Sequence, residues 1–444
     1  MKMAKMNEMD SNPLHVENTR RPLLEAYPGL KKIPWMPLMD GIPTPVQLLQ
    51  NLSAEFPGYQ VWIKRDDLTS SIYGGNKPRK FEFLFANALK KRKDTMITAG
   101  GTGTNHGLAS VLFSNALGMK STVYMFRQPL TWQVQRKLLM YVNLHAEIKL
   151  VANYGDLAVR GLGLMLFHPK SYLMLPGGSP LFGLGTVAGC LGFVNAGFEL
   201  AEQVKAGEIP EPSHVFIAAG STGSVSGLIL GCKLAGLKTK VAAVQVSDAI
   251  VTNPSSIERN IKNTLKMMRK ADPNIPEVKV TYPDDFLFFD KYLGTEYGCM
   301  TREGIAAVDL VARLEGDKGF HLETTYTGKA CAAMLDFMKT TPAEGDHAIL
   351  FWNTYNSRDL TDLAKQSNYD VQKLPKVFRK FFDEKLACFQ LRHCTPEIAE
   401  NCIAYYADDN RCWIVKASHG DDTTACEECP TRKEIEQKNN VKTA

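Results

Sequence analysis

No apolar run in this 444-residue chain approaches the roughly 18 residues of a membrane-spanning helix, so no transmembrane segment is expected. The N-terminus, with Lys2, Lys5, Asn7, Glu8 and Asp10, has no apolar core after its charges, which argues against a secretory signal. A cytoplasmic location is the expectation. Long blocks of one charge are also missing. Lys and Arg number 52 against 47 Asp and Glu, a net charge of +5, and the short runs at Lys90–Lys93 and Lys266–Lys270 read as solvated helix faces. Neither a nucleic-acid partner nor a membrane is expected. Internal repeats and low-complexity tracts are absent as well. Cysteine is sparse in the body of the chain: Cys190, Cys232, Cys299 and Cys331 stand singly and read as small core residues. The other six, Cys388, Cys394, Cys402, Cys412, Cys426 and Cys429, crowd the C-terminal end. With His393 and His419 nearby, Cys426-Glu427-Glu428-Cys429 has the spacing of half a zinc site. The remaining four match no paired pattern, so free or variably paired thiols are expected, and no metal.

The length suggests two or three domains, and 44% hydrophobic residues suffice for a sizeable core. The most informative stretch is Gly74-Gly75-Asn76-Lys77-Pro78-Arg79-Lys80. After it, Phe81, Leu84, Phe85, Ala88 and Leu89 form the i, i+3, i+4, i+7, i+8 stripe of an amphipathic helix. Pro78 suits the first helical position, which puts Lys77 at the N-cap beside the positive end of the helix dipole. Arg79 and Lys80 add like charge, and all three effects disfavour the ammonium form. A lysine of lowered pKa is what Schiff-base chemistry with an aldehyde cofactor needs. A solvated basic helix start is the competing reading.

Residues 1–32 are polar and read as an extension. From about Pro34 strands alternate with helices: strands at Val61–Arg65, Thr95–Ala99, Ser121–Phe126, His214–Ala219 and Lys240–Val246, and helices after Lys77, after His106 and over Val225–Ala235. Such alternation with short turns implies parallel sheets flanked by helices. The turn Gly220-Ser221-Thr222-Gly223-Ser224 lies between a strand and a helix, where N–H groups converge on an anion. It is neither GxxxxGK[ST] nor GxGxxG, so a single small phosphate fits better than a nucleotide, and an ordinary tight glycine turn is the alternative. Thr104-Asn105-His106 opens another helix, where capping accounts for polar residues equally well. Tyr297 and Tyr326 follow polar or glycine-rich turns and read as either packing residues or proton donors. Lys64-Arg65-Asp66-Asp67 reads as an ion-paired strand end. Beyond Asp359 the chain becomes charged and cysteine-bearing, an appended segment over 360–444.

Together these elements resemble the pyridoxal-phosphate enzymes of fold type II, and within them the family of 1-aminocyclopropane-1-carboxylate deaminase and D-cysteine desulfhydrase. The resemblance runs from about Pro37 to Asp359. It rests on Pro43-Thr44-Pro45-Val46, Lys64-Arg65-Asp66-Asp67-Leu68, the Gly74–Glu82 element, Thr98-Ala99-Gly100-Gly101, Asn105-His106, Pro176-Gly177-Gly178-Ser179, the Gly220–Ser224 turn and Tyr326-Thr327-Gly328-Lys329-Ala330. It implies two open, twisted parallel-sheet α/β domains flanked by helices, tryptophan synthase β-like, with the cofactor in the cleft between them. The smaller domain, roughly 80–190, would be inserted in a core spanning 33–359, and the protein would be a homodimer. By the same resemblance Lys77 is the Schiff-base lysine and moves the Cα proton, and Asn105 bonds the phenolic oxygen of pyridoxal 5'-phosphate. Lys80 and the Gly220, Ser221, Thr222, Gly223 and Ser224 backbone hold its phosphate. Tyr297 and Tyr326 face the substrate, and Thr354 bonds the pyridine nitrogen.

Thr104 replaces the family's serine at a residue that handles substrate, and Tyr355-Asn356 replaces a glycine pair. Thr327 stands where the deaminase has glutamate, and His106 where it has glutamine. A neutral hydroxyl suffices for β-elimination with a good leaving group, whereas opening a cyclopropane needs the stronger electron sink that a carboxylate maintains. The expectation is therefore α,β-elimination from a small amino acid, by analogy D-cysteine. The alternatives are 1-aminocyclopropane-1-carboxylate deaminase and a pyridoxal-phosphate-binding protein with reduced turnover.

Overall fold

Two parallel sheets organise the chain, and it builds one inside the other. β1 (Val46–Leu48) and β2 (Tyr59–Lys64) begin the larger sheet. The chain then leaves to lay down β3 (Thr95–Gly101), β4 (Lys120–Phe126), β5 (Glu147–Leu150) and β6 (Ser171–Met174). It returns with β7 (His214–Ala219), β8 (Lys240–Gln245), β9 (Phe286–Phe289) and β10 (His347–Trp352). The orders are β1-β2-β10-β7-β8-β9 and β5-β4-β3-β6. Every pairing is parallel except β1 with β2, which gives the larger sheet one antiparallel edge strand. The computed structural model describes residues 16–383 apart from 129–131, 154, 158, 161–162, 164–167, 181–184, 342, 344–346, 361–362 and 364–370.

The central strands HVFIAA, KVAAVQ and HAILFW are near-continuous apolar runs because helices cover both faces of the larger sheet. The helices are α1 (Pro22–Ala26), α2 (Gln50–Ala54), α3 (Lys77–Lys90), α4 (Asn105–Ala116), α5 (Trp132–Asn143) and α6 (Leu191–Lys205). They continue with α7 (Gly223–Leu234), α8 (Pro254–Ala271), α9 (Arg302–Glu315), α10 (Thr327–Thr340) and α11 (Lys376–Asp383). One core packs α6, α7 and α8 against Val215, Ile217 and Leu350. Another sets α9 and α10 against Phe216, Val244 and Phe351 on the opposite face. A third joins α3, α4 and α5 over the smaller sheet.

Both ends of the described chain differ from the sequence-based expectation. Leu23, Leu24 and Leu30, assigned to an N-terminal extension, are buried in the core of the larger sheet. Arg21 of that segment pairs with Glu82 of α3, both side chains being almost wholly buried. Leu374, Phe378 and Phe381, assigned to the appended segment, lie in the core of the smaller sheet. Composition did not show this, because a few apolar contacts suffice to dock a mostly polar stretch. The six C-terminal cysteines lie outside the described residues. Of the others, Cys190, Cys232 and Cys331 are buried, while Cys299 is half-exposed and not a core residue.

A charged cluster joins the sheet to α3 and α6. Arg79 donates to Asp66 at 2.6 and 2.8 Å and to Glu199 at 2.9 and 3.0 Å. Lys64 reaches Glu199 at 2.7 Å, and the Trp352 indole donates to Asp66 at 2.7 Å. Lys64, Asp66 and Arg79 are fully buried. Burial pushes the Glu199 carboxyl up, but Arg79 and Lys64 overcome it and hold the group well below the usual carboxylate range. Removing one partner of such a cluster leaves uncompensated buried charge, costing about 3–5 kcal/mol. Glu199→Gln should therefore lower the urea midpoint of the full chain by a loss of about that size. A loss under ~1 kcal/mol would show that the cluster is not holding α3 and α6 in place.

Candidate active site

The carboxyl ends of the parallel strands meet around a cavity of about 350 Å³. β2, β10 and β7 are neighbours in the larger sheet, so the segments after them, carrying Lys77, Thr354 and the Gly220–Ser224 turn, converge. β3 of the smaller sheet delivers Thr104 and Asn105, and its neighbour β6 delivers Pro176-Gly177. Such crevices beyond strand carboxyl ends are where open α/β sheets place ligands. Lys77, Lys80, Thr104, Asn105, Gly220, Ser221, Thr222, Ser224, Tyr297, Tyr326 and Thr354 all line this cavity. Gly223 lies behind the lining, against Ser179 and Lys80.

Lys77 is the first residue of α3, and Asn76 is the N-cap, one position earlier than expected. Gly75 N–H donates to Asp66 O at 2.7 Å and Asn76 N–H to Thr354 O at 3.2 Å, so the loop is hung on the ends of β2 and β10. The Lys77 amine donates to Asn76 Oδ1 and its pKa is lowered to about 7. Burial is the largest cause, Lys80 and Lys137 add to it, and Glu323 opposes them. Arg79, expected to contribute, is engaged by Asp66 and Glu199 on the buried side.

Around the glycine turn the polar groups form a cradle. Lys80 Nζ donates to Ser179 Oγ at 2.9 Å and to the Gly177 carbonyl, and Ser221 Oγ donates to Ser179 Oγ at 3.1 Å. Burial lowers the Lys80 pKa to about 8. A Cβ on Gly223 would lie 2.0 Å from Ser179 Oγ and 3.0 Å from Lys80 Nζ. Thr222 has φ +61°, rare for a β-branched residue and costing about 1–3 kcal/mol. Asn260 holds it there with a 2.8 Å bond to its hydroxyl. Turn N–H groups, two serine hydroxyls, a lysine and the N-terminus of α7 suit a phosphate dianion.

Thr104 caps α4, its hydroxyl accepting from Gly107 N–H at 3.2 Å, so the capping reading holds while the residue still faces the cavity. The Tyr297 and Tyr326 hydroxyls are hydrogen-bonded to each other, and burial, before Tyr297, pushes the Tyr326 phenol well above its ordinary value. His106 is buried, and burial together with Lys77 and Lys80 holds its pKa well below the ordinary value, so its imidazole is neutral. Asn356 Oδ1 accepts from Gly74 N–H at 2.7 Å, which gives one half of the Tyr355-Asn356 pair a task in fixing the lysine loop. Tyr355 lines the cavity.

Two residues escaped the sequence reading. Glu323 accepts from Thr325, Tyr326 and Thr327 N–H groups, each at 2.8 Å, at the start of α10. An acid four residues ahead of a helix was the available signal. Lys137 of α5 donates to Asn105 Oδ1, a contact across 32 residues with no local signature.

A family model described as "pyridoxal-phosphate dependent enzyme" matches residues 38–354. The chain is 31% identical over 338 residues to a D-cysteine desulfhydrase of Serratia proteamaculans, covering 73% of this chain and 95% of that one. It is 32% identical over 337 residues to one of Yersinia enterocolitica, covering 73% and 94%. Among solved structures it is similar to an ACC deaminase homologue, with 26% identity, TM-score 0.61 and coverage of 78% and 98%. Diaminopropionate ammonia lyase of Escherichia coli, at 15% identity and TM-score 0.50, shares the fold, over 74% and 87% of the two chains.

Two outcomes test the site. In protein freed of bound aldehyde, reductive methylation of Lys77 should be half-maximal near pH 7 and level off above it, because its ammonium loses the proton there rather than near 10.5. A Lys77 rate that climbs in step with exposed lysines would refute the lowered pKa. Gly223→Val should weaken pyridoxal-phosphate retention at least about tenfold, the worth of one charge-assisted hydrogen bond. Full occupancy in the variant would leave the turn with a structural role only.

Proposed function

The chain belongs to the family of pyridoxal-phosphate dependent enzymes, and on that premise we propose that it eliminates thiol from D-cysteine, consuming one water and releasing pyruvate, sulfide and ammonia. It is a lyase that works with pyridoxal 5'-phosphate, in the group that holds D-cysteine desulfhydrase and ACC deaminase. The cradle suits that cofactor: the Lys80 amine, the Ser221 and Ser224 side chains and the turn that opens α7 all line the cavity, a donor set that matches a phosphate dianion. The turn, Lys80 and Ser221 would hold its phosphate, Thr354 would meet the pyridine nitrogen, and Asn105 would donate to the phenolic oxygen. When bound, it supplies an electron sink for the pair left at Cα.

Lys77 would carry the covalent link to the bound cofactor, and its amine would take the Cα proton, a task suited to an amine close to half-neutral at pH 7. Tyr326 stays protonated because its phenol is pushed up, and it shares a proton with Tyr297 across their hydroxyl contact. That pair donates to the departing thiolate. Thr104 and the start of α4 face the substrate carboxylate. We infer a homodimer from the family resemblance.

The choice of substrate is carried by one observation. The Thr327 hydroxyl is bound to Glu323 N–H at 2.8 Å, and the Glu323 carboxylate is occupied by three N–H groups of the helix start. This supports a pyridine nitrogen facing neutral hydroxyls, hence a weaker sink and the need for an easy leaving group. D-Cysteine and β-chloro-D-alanine should release 2-oxo acid, and 1-aminocyclopropane-1-carboxylate should not. Tyr297→Phe should lower kcat roughly 10²-fold, the size of a general acid–base contribution. Ring opening without activity on β-substituted D-amino acids would return the chain to the deaminase branch. Failure of every amino acid with cofactor firmly held would mark a binding protein of reduced turnover.

A further inference from the structure

Lys137 belongs to none of the motifs, yet it reaches the back of the cavity. From α5 its Nζ donates to Asn105 Oδ1 at 2.5 Å and to the Gly103 carbonyl at 2.9 Å. An ammonium has donors only, so the side-chain oxygen of Asn105 must face Lys137. The amide nitrogen of Asn105 then points the other way. It has no hydrogen-bond partner among the described residues, while Asn105 lines the cavity. Without Lys137 the amide could turn over and present its oxygen, which would repel an ionised phenolic oxygen. With Lys137 in place it can only donate.

We propose that Lys137 is a positioning residue that locks the Asn105 amide as a donor to the phenolic oxygen of the cofactor and so favours the ionised phenol. This rests on the reading of Asn105 given above. Burial lowers the Lys137 pKa to about 8, with Glu323 opposing, so the group remains largely an ammonium at pH 7. Gly103 O supplies a second anchor that aims the Lys137 amine at the start of α4. The arrangement needs no direct contact between Lys137 and the ligand.

The test uses the holoenzyme and reads the absorption of bound pyridoxal 5'-phosphate at pH 7 beside kcat. Lys137→Met should move absorption from the long-wavelength, ionised band to the short-wavelength one and lower kcat roughly 10- to 100-fold, the worth of a hydrogen bond to a charged group. Lys137→Arg, again a donor only, should restore most of both. Lys137→Gln accepts either amide orientation and should give an intermediate spectrum, and it decides the matter if the methionine variant does not fold. In an Asn105→Ala background, Lys137→Met should change kcat less than about twofold, because coupled residues do not add. If Asn105→Ala shifts the spectrum and neither Lys137→Met nor Lys137→Gln does, the role of Lys137 is refuted and Asn105 keeps its own. If Asn105→Ala itself leaves the spectrum unchanged, the reading of Asn105 fails and the role of Lys137 with it.

Discussion

Everything at the cleft hangs on the buried cluster of Arg79, Asp66, Glu199 and Lys64. Parallel register sets Lys64 at the end of β2 opposite Trp352 at the end of β10. Arg79 then ties that point to α6 through Glu199 and to the strand end through Asp66. An arginine fork satisfied on all sides in a dry interior tolerates little rotation of its helix. Since Arg79 and Lys80 follow Lys77 within one turn, fixing the Arg79 direction also fixes where the other two point. One faces the cleft and the other the glycine turn.

The second constraint is electrostatic. Lys77, Lys80 and Lys137 cluster around a cavity with pKa values lowered to about 7, 8 and 8, each chiefly by burial. Three amines desolvated together are unfavourable unless a negative ligand compensates them. Glu323 opposes the lowering at Lys77 and Lys137, but its carboxylate already serves the start of α10. The site is thus built with surplus positive potential and complements a phosphate dianion. The strained Thr222 at the same turn, held by Asn260, fits that picture of binding geometry kept at a cost in local stability.

The parallel-sheet architecture was legible because central strands such as His214–Ala219 are apolar throughout and helices such as Lys77–Lys90 carry a clear stripe. β2 starts at Tyr59 rather than Val61 because Tyr59 pairs with His347, a partner far along the chain. The lysine loop, the glycine turn and the two tyrosines were readable since glycine, proline and capping chemistry act within a few residues. The docking of Leu23 and Phe378 was not readable, because their partners lie on distant elements.

By itself the sequence determined the alternation of strands and helices, the amphipathic helix that opens at Lys77 and the glycine turn between strand and helix at Gly220–Ser224, all consequences of local backbone preference and periodicity. The tertiary structure alone decided that Arg79 serves the interior and not the lysine, that Glu323 is spent on a helix start, and that Lys137 stands behind Asn105. Those outcomes depend on which strand ends lie side by side. That order, β2-β10-β7 beside β3-β6, comes from long-range pairing that no local pattern encodes.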